Sequence, residues 1–369
     1  KEFKANYFLV CEDTIPLEEA IKPYISNEEY KEIIKKVNKP SQLLGIQSHF
    51  ALIMLWFIGG LTALCGALTY AELGANLPRS GGEYNFLGRL YHPCAGFISG
   101  WISATVGFAA PVALAAMTFG AYLTAVFPDA SQTYAAALLV VCLTIAHCFS
   151  HQTSSRVQQL FTLLKIIMIV LFCLVILIWG ENPQSISLLP KAEDSSILFG
   201  SAFAVSLIYV NYAYTGWNAV TYITSELDNP QQNLPIVLLV GTSLVMMLYL
   251  ALNFTFLSAT PADLLTGKLE IGVITAQHAL GVSAGKIMGG VLALLLISTV
   301  SAMTMAGPRV LQVIGQDLST FNYLSRTNKR GIPSAAIVFQ SALALILIVS
   351  STFESILIFS SFVLAINTL

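Results

Sequence analysis

Nine long apolar runs divide the chain, at about 50–70, 95–127, 134–148, 157–179, 197–223, 236–257, 287–305, 334–350 and 355–369. Hydrocarbon offers no partner to a backbone N–H or C=O, so such runs cross a bilayer only as α-helices or closed barrels. Most approach the roughly 20 residues a spanning helix needs, twice the length of a barrel strand. Hydrophobic residues make up 56% of the sequence and charged residues 10%, against roughly 25% charged in soluble domains. The chain is therefore expected to be an all-α polytopic membrane protein, with the lipid bilayer as its first partner. A net charge of −2 argues against nucleic-acid binding.

Residues 1–46 form a charged, soluble segment to which no function attaches, and 47–369 form the transmembrane domain. The apolar run at 7–11 is too short to span. A helix is predicted over N-E-E-Y-K-E-I-I-K-K-V, capped by Ser26 or Asn27, with Glu28 and Glu29 early and Lys35 and Lys36 late, as the helix dipole favours. The cysteines show no C-x-x-C pair. No metal, cofactor or disulfide framework is expected.

The most informative run contains L-I-Y-V-N-Y-A-Y-T-G-W-N, residues 207–218. It places Asn211, Thr215, Gly216 and Asn218 at mid-membrane depth, where polar groups must line a cavity or find partners. A helix broken there is a common way to build a small-molecule site. The alternative is a continuous helix whose small and polar residues serve tight packing.

Lys165 is the one Lys or Arg well inside a span. It lies about 13 Å along the helix from Arg156, near the midplane. Such an ammonium needs an acceptor, unless it snorkels to the surface. Pro111 in the second run predicts a kink or a packing feature.

Lys and Arg counts set orientation. Arg79, Arg89, Arg156, Arg309, Arg326, Lys329 and Arg330 fall in one set of loops, and Lys191, Lys268 and Lys286 in the other. The first set is expected to be cytoplasmic. The seven lysines of the N-terminal segment would then lie outside, which predicts a further span missing before Phe50.

Several motifs follow one another in an order that resembles a known family. They are Y-A-E-L-G-A-N-L-P-R-S-G-G-E-Y from Tyr70, T-L-L-K ending at Lys165, and Y-A-Y-T-G-W-N ending at Asn218. After these come E-x-x-N-P-x-x-N-L-P from Glu226 and G-P-R-V…G-Q-D from Gly307. Together they resemble amino acid permeases of the amino acid–polyamine–organocation superfamily. The resemblance implies a LeuT-type inverted-repeat fold, with the nine runs as helices two to ten. Helix one, a G-S-G-I-F-like stretch that would hold the substrate carboxylate, and the last two helices are expected to be lacking.

The resemblance also implies roles. Main-chain carbonyls near Tyr212, Ala213 and Thr215 would accept from a substrate ammonium, with the Tyr212 ring as a gate. Gly216 would allow the break, and Trp217 and Asn218 would form the pocket floor. Lys165 would stand where sodium-coupled relatives hold a cation, with Ser298, Thr299 and Ser301 as partners. The expected function is secondary transport, in a plasma or inner membrane, of amino acids or related amines, favouring neutral ones. It would run by alternating access, coupled to protons or by exchange, and not by enzymatic chemistry. The competing expectation is a non-transporting scaffold or sensor, or an inactive fragment. Oligomeric state is not legible.

Overall fold

A computed structural model describes residues 48–149, 152–181, 183–192, 194–265, 268 and 270–368. The N-terminal segment and its expected helix lie outside the described residues. Helices dominate, and no strand occurs among the described residues.

The first run becomes α1, His49–Asn76, capped by Ser48, whose hydroxyl accepts from the Ala51 N–H. Its buried side carries Gly59, Gly60, Ala63, Ala67, Ala71 and Gly74. Apolar burial gives little drive between helices in lipid, so small residues that let backbones approach decide the packing. α1 accordingly lies against the later helices α8, Ser201–Tyr214, and α9, Pro230–Ala259. After α1 the chain turns at Gly81 and Gly82, both at positive φ, into the short α2, Glu83–Leu90.

The second run is α3, Pro93–Ile102, a π-helical stretch Ser103–Phe108, and α4, Ala109–Val126. Pro111 explains the irregularity. It has no N–H to give the Gly107 carbonyl four residues back, and its ring crowds that carbonyl. The turn widens just before it, as π-bulges do, often at functional sites.

α5, Gln132–Phe149, and α6, Gln152–Trp179, follow. On α6, Leu160, Leu163, Ile167, Leu174 and Ile178 recur at helical spacing and are exposed, an apolar stripe suited to lipid. Lys165 sits about 140° around the helix from Leu160, by 100° per residue, away from that stripe.

The fifth run is not one helix. It divides into α7, Asp194–Leu198, then α8, then a 3-10 stretch Trp217–Glu226. α9 begins at Pro230 after Asn229 in the left-handed region, so Pro235 lies inside the helix rather than at its start. Next come α10, Ala262–Leu265, α11, Ile271–Leu280, and α12, Val282–Ala306. α13, Pro308–Asp317, a 3-10 turn Ser319–Phe321 and α14, Asn322–Ser325, lead to α15, Ser334–Ser350, and α16, Phe353–Thr368.

Among the described residues, six helical stretches are long and apolar enough to cross a membrane: those within 49–76, 93–124, 132–149, 158–179, 230–259 and 282–317. The runs at 334–350 and 355–369 form shorter apolar helices. The chain is an integral, multi-pass membrane protein. A core cluster joins α4, α5, α12, α15 and α16 through Val112, Leu139, Val300, Ala344 and Ile356. All described residues fall in one compact unit, Leu43–Leu369.

Candidate functional site

The break that the sequence predicts is present. α8 ends at Tyr214, Thr215 turns extended at ψ 153°, and Gly216 adopts φ +100°, ψ −8°. Thr215 helps to end the helix. Its N–H and its hydroxyl both donate to the Tyr212 carbonyl, at 3.0 and 2.6 Å. Short polar side chains compete for helical backbone groups in this way. Gly216 supplies a conformation that costs other L-residues about 1–2 kcal/mol. The chain restarts as the tighter 3-10 helix, which is itself interrupted at Ile223. An unbroken packed helix is thereby ruled out for this stretch.

The break opens on a cavity of 270 Å³, and Tyr212, Ala213, Thr215, Gly216, Trp217 and Asn218 all line it. Across from them stand Ser103, Gly107 and Phe108 of the π-helical stretch, Met303 of α12, and Phe353, Leu357 and Leu364 of α16. Two irregular helices therefore face each other over one space.

Two of the expected acceptor carbonyls are already engaged. That of Tyr212 takes both Thr215 donors, and that of Ala213 accepts from the Tyr249 hydroxyl at 2.9 Å. A carbonyl has two lone pairs. The Tyr212 carbonyl is therefore full, while those of Ala213 and Thr215 keep capacity. Trp217 packs edge-on to Tyr70 at 4.9 Å and so forms part of the wall towards α1.

The lining is not wholly neutral. Glu83, at the start of α2, is 1% exposed and lines the cavity. Its Oε1 accepts from the Tyr70 hydroxyl at 3.0 Å and from Asn218 Nδ2 at 2.5 Å, and its Oε2 from the Tyr222 hydroxyl. Glu83 belongs to the motif that begins at Tyr70 but is not among the expected site residues. The signal was available: a carboxylate directly after two glycines, in a chain with few charges.

The other motif charges surround the same segment. Arg79 meets Asp317 at 2.7 Å, and the Tyr84 hydroxyl donates to Asp317 at 3.0 Å. Burial, then the Asp317 carboxylate, pushes the Tyr84 phenol up to about 12. Arg309 pairs with Glu226 at 2.7 Å, at the end of the 3-10 stretch. Ser80 and Ser225 exchange hydrogen bonds, each backbone N–H donating to the other's hydroxyl at 3.1 and 3.0 Å. Motifs distant in sequence thus interlock around residues 217–226.

Lys165 lines a second, mostly apolar cavity of 390 Å³ between α4, α6, α9, α11 and α12. Its Nζ donates to Thr299 Oγ1 at 2.8 Å, so it does not snorkel. Thr118 lines both cavities. Ser298 is buried, with no hydrogen-bond partner for its hydroxyl among the described residues. Ser301 turns elsewhere, its Oγ sharing a hydrogen bond with His147 Nε2 at 3.0 Å. Of the expected partners the structure therefore brings Thr299 to Lys165.

Known proteins resemble this sequence along most of its length. A family model described as amino acid permease matches residues 36–369. The b(0,+)-type amino acid transporter 1 of Mus musculus is 27% identical over 338 residues, covering 88% of this chain and 68% of the relative. The large neutral amino acids transporter small subunit 2 of Oryctolagus cuniculus is 30% identical over 264 residues, 69% of this chain and 48% of the relative. This chain spans about two thirds of the first and about half of the second. A match along most of the sequence, joined to the interlocking motifs and the broken helix, makes this chain a member of the amino acid permease family, within the amino acid–polyamine–organocation superfamily.

Proposed function

We propose that the protein is a secondary transporter of amino acids, working by alternating access on a LeuT-type inverted-repeat fold. The observation that carries this reading is the break at Thr215–Gly216, opening on a cavity lined by all six residues singled out around it. Transporters place substrate sites at such discontinuities, where freed backbone groups meet the solute. The carbonyls of Ala213 and Thr215 are the acceptors offered to a substrate ammonium, under the Tyr212 ring, with Trp217 and Asn218 as the floor. The opposite walls, Phe108, Met303 and Leu357 among them, are apolar, and Glu83 is already engaged by three neutral donors. That combination favours a neutral amino acid side chain. The relatives named above are amino acid transporters by their own descriptions.

Lys165 is proposed as the coupling residue, through Thr299 and the neighbouring Ser298. Its ammonium fills by charge a place that a bound cation would otherwise take, or moves a proton. The arginine-rich loops are assigned to the cytoplasm by the positive-inside rule.

The test is uptake by the purified chain in proteoliposomes. Accumulation of labelled neutral amino acids, competed by unlabelled ones, is expected. Binding without any flux would instead identify a sensor, and neither binding nor flux would remove the reading.

A further inference from the structure

The motif S-G-G-E-Y, Ser80 to Tyr84, carries more than a turn. Glu83 gathers donors from two elements, Tyr70 on α1 and both Asn218 and Tyr222 on the 3-10 stretch. No basic side chain pairs with it among the described residues, and its burial is nearly complete. An ionised carboxylate accepts only and has about four lone-pair sites. Three neutral donors converge on its two oxygens.

The glycines before it serve the same contact. A Cβ on Gly82 would lie 2.7 Å from the Tyr222 ring, and the Gly82 N–H donates to the Thr221 carbonyl at 3.3 Å. The Tyr222 ring is also set edge-on against Phe108 of the π-helical stretch at 4.9 Å. The 3-10 stretch is already interrupted at Ile223, and 3-10 hydrogen bonds are poorly aligned. Its geometry therefore depends on outside support, and Glu83 contacts it one turn apart, at Asn218 and Tyr222.

We infer that Glu83 is a positioning residue: its carboxylate clasps the half of the broken helix that follows Gly216, and so sets the floor of the cavity. The inference rests on the transport reading only for its effect on substrate. Its effect on the 3-10 stretch stands independently.

The experiment compares wild type, Glu83→Ala and Glu83→Gln, as the full chain in detergent and in proteoliposomes. Amide hydrogen exchange of peptides covering 217–226 is expected to rise at least tenfold in Glu83→Ala, with peptides from α15 unchanged. Glu83→Gln, which keeps an acceptor and the shape, should fall between the two. It also keeps the test decisive if the alanine variant does not fold. Exchange equal to wild type in both variants would overturn the inference, as would acceleration in all helices alike, which would mark Glu83 as a general stability residue.

For uptake, KM is expected to rise at least tenfold in Glu83→Ala and less in Glu83→Gln, with Vmax changing less than KM. A fall in Vmax at constant KM would count against positioning. If wild type carries no amino acid, the transport reading fails while the exchange result still decides the role of Glu83.

Discussion

Gly216→Ala isolates the backbone of the break from its surroundings. A Cβ there meets only Met303 Cε, at 3.7 Å, an ordinary contact, so sterics around the site add little. The conformational penalty remains: φ +100° costs alanine about 1–2 kcal/mol. A competing continuous helix through residue 216 would gain about 1 kcal/mol from replacing glycine by alanine. The balance between broken and continuous forms then shifts by about 2–3 kcal/mol. At about 1.4 kcal/mol per tenfold, and with apparent affinity scaled by the competent fraction, amino acid affinity should fall by up to roughly 30- to 140-fold. Any part that the surrounding clasp resists should appear as a lower melting temperature. The assay is equilibrium binding of a labelled amino acid, with thermal unfolding on the same sample. Gly241→Ala, on a regular part of α9 with nothing within 4 Å of the added Cβ, is the control and should leave affinity unchanged while raising stability by up to about 1 kcal/mol. If Gly216→Ala left affinity and stability both at wild-type values, the reasoning about the break would be refuted.

Three further outcomes are expected. Lys165→Ala removes the ammonium held by Thr299, and the pH dependence of uptake should flatten; an identical profile at every pH would deny Lys165 the coupling role. The contact of Arg79, Tyr84 and Asp317 is half-exposed at its ion pair, so Arg79→Ala should cost only about 0.2–1 kcal/mol of stability. The raised Tyr84 phenol adds a pH signature. Its contribution is present in full below the ordinary tyrosine value near 10 and is lost as pH rises through about 12. The melting-temperature gap between wild type and Tyr84→Phe should therefore hold up to pH 9, narrow above 10 and close as pH passes about 12. A gap that closes at lower pH would contradict this.

Sequence showed the break because few residue types tolerate what happens there. A glycine beside a threonine, in an otherwise apolar run, has little reason to sit at mid-membrane unless the helix stops. Lys165 was legible for a similar reason, since a lone ammonium in a span must find an acceptor, and the helical phase of its leucine neighbours shows which way it faces. The role of Glu83 was not legible. Its meaning comes from Tyr70, Asn218 and Tyr222, which only the tertiary fold brings together. α2 and α11 escaped notice because eight and ten residues are too few for a periodic signal among apolar neighbours. The fifth run looked like one span because hydropathy does not register the switch from α to 3-10 geometry. Pro111 announced a distortion but not its form, since a missing N–H can be absorbed by a kink or by a widened turn.

The central claim is that an amino acid binds at the break between α8 and the 3-10 stretch. Its most direct test is the rate at which a thiol reagent labels Thr215→Cys, in a background whose native cysteines are replaced, with and without a saturating neutral amino acid. The account predicts that the amino acid slows labelling at least tenfold at this position. Labelling that is unchanged, while the same sample demonstrably binds the amino acid, would place the substrate elsewhere and contradict the account.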